Sequence, residues 1–371
     1  MIYHLLDEQE VFSERDGGAI SRWTANVLRE GSEIVVCPSY DSTWNFPSHR
    51  IYQLANWSRT DFPVHPVLYR SPWIIQKWIY TLVFRELMRK VKDGDVIYVH
   101  NRPECASVLA TIAPRRGVRI VLHMHNSHLL RANRGQLNSL REVPIIFCSK
   151  FLRDEVEAAM PNYFKSTQVV YNGADGAKFR IGETDKEPIP TVIFTGRLVP
   201  YKGVHVLLDA MRILEKKNIA VQCKVVGAAG FGRSKSTRYT QQLQRLCPRN
   251  TELVGYRTGD ALAALLRQSD IFCCPSIWND PFPLAPLEAM ATGLPIVATN
   301  VGGLPEALAH GGGLLVAPND AAALADALEV LLTDTSRRQE LGAEAYRAFR
   351  NHFVWNCVRS QYQTALRSVM A

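Results

Sequence analysis

Two doubly wound (Rossmann-like) α/β domains facing a deep cleft are what this sequence predicts, and three observations carry the prediction. Short β-branched runs alternate with amphipathic stretches along most of the chain. The alternation pauses once, near residues 176–190, and then restarts. The 371 residues suit two domains of ordinary size. Strand–helix alternation on this scale means parallel sheets covered by helices on both faces. A composition of 47% hydrophobic and 21% charged residues is a globular mixture, which excludes disordered, collagen-like and small disulfide-bonded chains.

In the first block Ile2–Leu6, Glu33–Cys37, Val96–His100, Arg119–His123 and Ile145–Cys148 read as buried strands. Ala19–Leu28, Trp73–Lys90 and Phe151–Met160 read as the helices between them. The stretch GAKFRIGETDKEPIP, residues 176–190, gathers Gly, Pro and charge and reads as a linker. The second block runs strand Thr191–Thr195, helix Val204–Lys216, strand Val221–Val226, helix Thr237–Leu246 and a short strand Glu252–Val254. It continues with helix Asp260–Gln268, strand Ile271–Cys274, helix Pro286–Thr292 and strand Pro295–Ala298. Three helices close the chain: Ala321–Leu332, Ser336–Arg350 and Val354–Met370. The expected division is a first domain over 1–175, the linker 176–190, a second domain over 191–352, and a last helix, 353–371, crossing back to the first. Ligands of such sheets sit at the carboxyl ends of the strands, so the cleft between the domains is the expected site.

Lys+Arg number 43 and Asp+Glu 35, a net charge of +8, which points to an anionic partner: nucleic acid, phosphorylated substrate or anionic membrane. The excess is local. Residues 70–153 hold 15 Lys+Arg against 5 Asp+Glu, a net +10, which leaves the remainder near −2. No stretch reaches the ~18 uncharged apolar residues of a spanning helix. The opening MIYHLLDEQE lacks the basic start of a signal peptide. The eight scattered cysteines contain no CxxC and read as buried reduced thiols of a cytosolic protein.

Four segments could carry chemistry. In SIWNDPFPLAPLEAMATGLPIVATNVGGLPE (276–306), Asp280 falls in a Pro-rich loop. Pro286 suits a first helical turn, which would put Glu288 near that helix's N-terminus and end the helix at Gly293. The two acids could share one cleft, or Glu288 could simply complement the helix dipole. In TGRLVPYKGVHVLLDA (195–210), Arg197 and Lys202 flank a turn at the sheet's carboxyl edge. They could clamp a diphosphate, or be two solvated cations. In ERDGGA (14–19), Gly17 and Gly18 could bring backbone N–H groups to a phosphate at a helix N-terminus, or form a plain tight turn. GAAGFG (227–232) departs from GxGxxG, against a dinucleotide reading. In HMHN (123–126), the strand is read as presenting one histidine, His123 or His125, to a cleft. With His128 nearby but no placed carboxylate, the pattern is a poor zinc site, and no metal is expected.

Together these pieces, with VVYNGAD (169–175) and LHMHN (122–126), resemble the retaining glycosyltransferases of family 4, the group 1 transferases, which have the two-domain GT-B fold. The resemblance is dense over 165–330 and sparse before it. It implies that Arg197 and Lys202 neutralise the donor's diphosphate as leaving group, that Glu288 binds the ribose hydroxyls, and that Asp280 contacts the donor sugar. It places His125 beside that sugar and lets the first domain close on the phosphates at Gly17 and Gly18. Gly227, Tyr256, Phe282, Pro283 and Leu284 complete the implied donor-binding set, and no cofactor or metal is called for. Two residues depart from the family pattern. Asp280 stands for a glutamate, one methylene longer. Pro283 stands for a glycine and has no N–H to offer, although the amides of Phe282 and Leu284 remain.

The stretch YRSPWIIQKWIYTLVFRELMRKVK supplies much of the local charge. On a helix Lys77, Arg85, Arg89 and Lys92 fall within one arc of about 120°, with Trp78 inside it. Ile75, Ile79, Leu82, Val83 and Leu87 lie opposite and are expected to face the sheet. A tryptophan among cations suits a lipid headgroup surface, and an ordinary solvated basic face is the alternative. The expectation is therefore a cytoplasmic enzyme, peripheral on the inner face of the membrane. Its donor is a UDP- or GDP-sugar, and its acceptor is a glycolipid or lipid-linked saccharide of polysaccharide or lipopolysaccharide synthesis. A soluble acceptor, a nucleotide-sugar epimerase of related fold and a nucleic-acid-binding protein are the rivals. The last lacks any RRM, KH or helix-turn-helix signature.

Overall fold

The computed structural model describes all residues except 8–9, 14–17, 29–30, 32, 43–45, 48–49, 55–71, 183–186, 231–235 and 371. The chain divides into two units: Met1–Tyr171 with Val358–Ala371, and Asn172–Cys357.

The first unit opens with β1 (Ile2–Leu5), β2 (Val11–Phe12), α1 (Ala19–Val27), β3 (Ile34–Cys37), β4 (Ser39–Tyr40) and β5 (Ile51–Gln53). It continues through α2 (Trp73–Val83), α3 (Arg85–Lys90), β6 (Val96–His100), α4 (Pro103–Ile112), β7 (Arg119–Met124), α5 (Arg134–Leu140), β8 (Ile145–Phe147), α6 (Lys150–Ala159) and β9 (Thr167–Val169). Its seven-stranded sheet has the order β5-β3-β1-β6-β7-β8-β9, parallel throughout, and β2 and β4 pair separately. The central strand β6 is buried at every position, as helices on both faces require. Ser149 caps α6, and Asn133 with Gln136 forms a capping box on α5.

The second unit holds β10 (Thr191–Thr195), α7 (Val204–Lys216), β11 (Gln222–Val226), α8 (Arg238–Leu246), β12 (Thr251–Gly255), α9 (Gly259–Arg267) and β13 (Ile271–Cys274). Then come α10 (Leu284–Ala291), β14 (Ile296–Thr299), α11 (Leu304–Ala307), β15 (Gly313–Val316), α12 (Ala321–Thr333), α13 (Thr335–His352) and α14 (Trp355–Met370). The six parallel strands run β12-β11-β10-β13-β14-β15. Counted within the unit this is 3-2-1-4-5-6, the dinucleotide-fold order, whose switch point lies between β10 and β13. Val192, Phe194, Leu207, Met211, Leu328 and Leu331 make its core between sheet and helices. From Val358 onward α14 belongs to the first unit. There Arg359 donates to the carbonyls of Asn26 and Val27, the orphan acceptors at the end of α1.

The predicted alternation of strand and helix is what each unit adopts, with four local differences. The predicted helix Trp73–Lys90 breaks at Phe84, which is fully buried. Its inward face is only in part the predicted one, with Leu87 buried as expected. Gln76, Tyr80, Phe84 and Leu87 are buried, while Ile75 and Leu82 are exposed. The reason is specific pairing: buried Gln136 donates to Gln76 at 2.9 Å and Tyr80 stacks on Phe84, so a polar residue, not the aliphatic face, turns inward. The helix predicted from Pro286 starts at Leu284, which moves Glu288 from the first turn to the second. Finally β2, β4, β5, α4, α5, β9, α11 and β15 join the predicted elements.

Candidate active site

The β10–α7 connection positions the two predicted cations. After Thr195 the chain turns through Gly196, places Arg197, and closes a single 3-10 turn over Pro200–Lys202 before α7. Gly203 ends that turn with φ +71°, and a Cβ there would meet the Pro275 carbonyl oxygen at 1.8 Å. Only glycine lets the β10 loop lie this close to the β13 loop. The two loops are also joined by the Ile277 N–H donating to the Tyr201 carbonyl at 3.0 Å, and Tyr201 and Trp278 meet edge-on with ring centroids 5.4 Å apart. Arg197 lies over the Tyr201 ring at 5.6 Å.

Across this junction the Lys202 ammonium pairs with the Asp280 carboxylate, both side chains about five-sixths buried. The Asp280 carbonyl accepts from the Gly303 N–H at 2.8 Å, so the NVGG turn after β14 holds the acid's loop. Asn172, buried, donates to the Phe282 carbonyl at 2.8 Å. Phe282 and Pro283 are buried, Pro283 is the N-cap of α10, and Leu284 is its first helical residue. Glu288 is buried one turn on, and no acid occupies the first turn of α10. The reading of Glu288 as a plain complement to that helix terminus therefore lapses. Gly227 follows β11, and a Cβ there would meet the Gly196 carbonyl oxygen at 1.8 Å. Tyr256, half-buried, follows β12 at the same carboxyl edge. Burial pushes the nearby Cys274 thiol up to about 11, which makes it a neutral neighbour rather than a nucleophile. Two cavities of the unit, about 350 and 440 Å³, touch none of these residues; the first lies at the amino edge of the sheet, by Thr191 and Cys223.

In the first unit Gly17 lies outside the described residues. Gly18 is the N-cap of α1, and its N–H donates to the Glu10 carboxylate at 2.8 Å, as does the Ser21 N–H at 3.0 Å. A carboxylate thus already occupies the helix N-terminus that was expected to take a phosphate. The histidine expectation is corrected. His123 and His125 are two residues apart on one extended chain, where successive side chains alternate, so they share a face, and their rings lie 4.0 Å apart. His123 is fully buried and His125 half-buried. Asn101 accepts from the His125 N–H at 3.2 Å and donates its own N–H to the His123 carbonyl. His4, Tyr98 and His100 line the same face, with Trp23 and Tyr362 packed on it. Among the described residues, one nitrogen from each of His100, His123 and His125 falls within 4.8 Å of the others. His128 stands apart, beside Asn126. Arg102 bridges Asp7 at 2.8 Å and Glu104 at 3.0 Å next to this edge.

Lys77 is half-buried on α2, while Trp78 is 66% exposed and Arg85 and Arg89 are exposed. Sequence reasoning did not single out His4, His100, Tyr362, Tyr201 or Trp278. For His100 the signal was available: it ends a strand, as His125 follows one.

Residues 177–348, all within the second unit, match the family described as Glycosyl transferases group 1. The chain is 31% identical over 282 residues to a D-inositol 3-phosphate glycosyltransferase of Corynebacterium aurimucosum, covering 67% of this chain and 66% of that one. In fold it resembles the sucrose-phosphate synthase of Thermosynechococcus elongatus, with a TM-score of 0.77, 19% identity, and 100% and 99% of the two chains covered. It equally resembles HepE of Anabaena, solved in complex with UDP-glucose, with a TM-score of 0.75, 21% identity, and 99% and 100% covered.

Proposed function

The chain belongs, through residues 177–348, to the group 1 glycosyl transferases, and on that premise we propose that it moves a sugar from a nucleoside diphosphate sugar to a membrane-associated glycolipid or lipid-linked saccharide, with retention at the anomeric carbon. The observation that carries the donor half is the pairing of Lys202 with Asp280 across the loops that follow β10 and β13, with Arg197 over the adjoining Tyr201 ring, at the edge where such sheets bind ligands. In the free chain Asp280 neutralises Lys202. A diphosphate brings more charge than one carboxylate, so it draws Lys202 away and leaves Asp280 to a sugar hydroxyl. Arg197, a planar fork already seated over Tyr201, takes the other phosphate oxygens. Both cations then oppose the charge that grows as the diphosphate departs. Glu288 is assigned to the ribose hydroxyls and His125 to the reacting sugar. UDP is the first base to try, given HepE's complex.

Since the cations do the work of a metal, activity is expected to survive EDTA; complete loss, restored by magnesium or manganese, would overturn that mechanism. The lipid half rests on α2. Its outward residues Ile74, Ile75, Trp78 and Leu82 are 76, 44, 66 and 50% exposed, next to exposed Arg85 and Arg89. Apolar insertion beside cations suits an anionic interface. Among the described residues no helix is long and apolar enough to cross a membrane. The place of action proposed is the inner face of the cytoplasmic membrane, in polysaccharide or lipopolysaccharide synthesis. Thermal-shift titration with UDP, GDP and ADP, free and as sugar diphosphates, tests the donor. NMR of the product's anomeric configuration then tests retention. A melting temperature indifferent to all six ligands would sink the donor site, and inversion at C2 without transfer would favour an epimerase.

A further inference from the structure

The first unit contains a continuous file of hydrogen-bonded rings drawn from α14, β1, β6 and the loop after β7. Tyr362 of α14 donates its O–H to the Glu33 carboxylate at 3.4 Å and contacts Nε2 of His4 on β1 at 3.0 Å. His4 Nδ1 faces His100 Nε2 at 3.2 Å, and His100 Nδ1 faces His125 Nε2 at 3.2 Å. His4 and His100 are fully buried. We propose that this column, Glu33–Tyr362–His4–His100–His125, sets which nitrogen of His125 carries its proton, and that Glu33, Tyr362, His4 and His100 are positioning residues for His125.

The direction follows from counting protons. A neutral imidazole has one N–H and one lone pair, so each link constrains the next. The Glu33 carboxylate, with the Arg50 guanidinium 3.7 Å away, is the strongest acceptor in the file and accepts the hydrogen bond of the Tyr362 O–H. The Tyr362 oxygen then accepts from His4 Nε2–H. His4 Nδ1 is left as acceptor for His100 Nε2–H, and His100 Nδ1 for His125 Nε2–H. Every ring carries its proton on Nε2, and Nδ1 of His125 is the accepting nitrogen. The mechanism requires neutral rings, which burial favours. Burial, with Arg50 secondary, lowers His4 to about 3, and burial with its histidine neighbours holds His100 well below the usual range.

His123 stands outside the file. Its Nδ1 meets the Tyr98 hydroxyl at 3.1 Å, so Tyr98→Phe is a matched control that removes a neighbouring tyrosine hydroxyl without cutting the column. The same three histidines could instead gather around a metal ion, and the test separates that case.

The inference rests on the assignment of His125 to the sugar only for its kinetic consequence. The full chain is labelled with ¹⁵N-histidine, and long-range ¹H–¹⁵N correlations at one pH near neutrality identify each ring's tautomer. In the native protein His4, His100 and His125 are expected as Nε2–H. Tyr362→Phe cuts the link to Glu33 and should convert His125 to a mixture of tautomers. Glu33→Gln offers an amide donor to the Tyr362 oxygen, turns that hydroxyl towards His4 and should reverse the file, giving Nδ1–H at His125. Tyr98→Phe should leave His125 unchanged. For Tyr362→Phe, kcat should fall about tenfold with donor KM unchanged, as expected when a histidine loses the partner that fixes its tautomer. A tautomer change with unaltered kcat would support the column and overturn the role of His125. Nδ1–H at His4 or His100 in the native protein would overturn the column. So would an Nε2–H His125 in all four proteins, or one equivalent of zinc with the histidine signals shifted to metal-bound positions.

Discussion

At the scale of single residues, the candidate site is a charge balance awaiting a ligand. If the proposed clamp is right, Arg197→Ala and Lys202→Ala should each lower turnover by about 10²–10³, or ~3–4 kcal/mol, the loss expected when a group that opposes charge formed in the transition state is removed. The folded state should tolerate both changes, which circular dichroism and melting curves would check; near-normal turnover with a verified donor would sink the clamp. The acids should separate. Glu288→Ala is expected to weaken binding of the bare nucleoside diphosphate, since the contacts proposed to the ribose hydroxyls would go. Asp280→Ala is expected to damage transfer while leaving nucleotide affinity intact or improved, because Lys202 loses its competing carboxylate. Calorimetry with free diphosphate beside turnover measurements decides, and the opposite pattern would reverse the two roles. Of this arrangement, Arg197, Lys202, Asp280 and Glu288 were legible as a set because each falls at a strand's carboxyl end or in the helix that follows. Their pairing was not, because 78 residues separate Lys202 from Asp280 and only strand order brings the two loops together.

Within elements, the strands of the first unit carry an unusual load of buried titratable groups. His4 has its pKa lowered to about 3 by burial and then by Arg50, while His100, His123 and, through burial, His128 are displaced in the same direction. Unfolding returns such rings to their ordinary affinity for protons. The unfolded chain therefore binds more protons below pH 6.5, and stability, full above that value, falls as pH falls towards about 3. Glu10 and Glu33, raised chiefly by desolvation, act oppositely, so the histidine part is read from the difference between the native protein and a histidine variant. The urea midpoint of the native protein should decline as pH falls below 6.5, and His4→Gln should decline less. Equal slopes in the two proteins would show that His4 does not contribute.

For the whole molecule, the question is how the proposed lipid acceptor would be met when no helix among the described residues is long and apolar enough to cross a membrane. Replacing Lys77, Arg85 and Arg89 together with Gln should cost about two decades of affinity for anionic vesicles, at ~1 kcal/mol per cation near the surface. The exposed Trp78 and Leu82 add a part that salt does not screen, so Trp78→Ala should weaken co-sedimentation equally at low and high salt. Nucleotide binding should be unaltered, since the clamp belongs to the second unit. Unchanged vesicle binding in the triple variant would leave α2 an ordinary surface helix and favour a soluble acceptor.

What the sequence determined by itself is the alternation and, with it, the fold. Thr191–Thr195, Val204–Lys216 and Ile271–Cys274 were readable to the residue, because a strand buried on both faces is a continuous apolar run and a helix packed on one face is periodic. The helix Pro103–Ile112 escaped that reading because its first seven residues are all buried, so it shows little contrast between faces. The tertiary structure alone decided which side of α2 turns inward, that Glu10 fills the α1 terminus, and that His4, His100, His125 and Tyr362 form one file. The last of these depends on which strands are neighbours. Local periodicity is set by contacts three or four residues apart, whereas neighbourhood in a parallel sheet is set by crossovers of dozens of residues, and no local pattern records it.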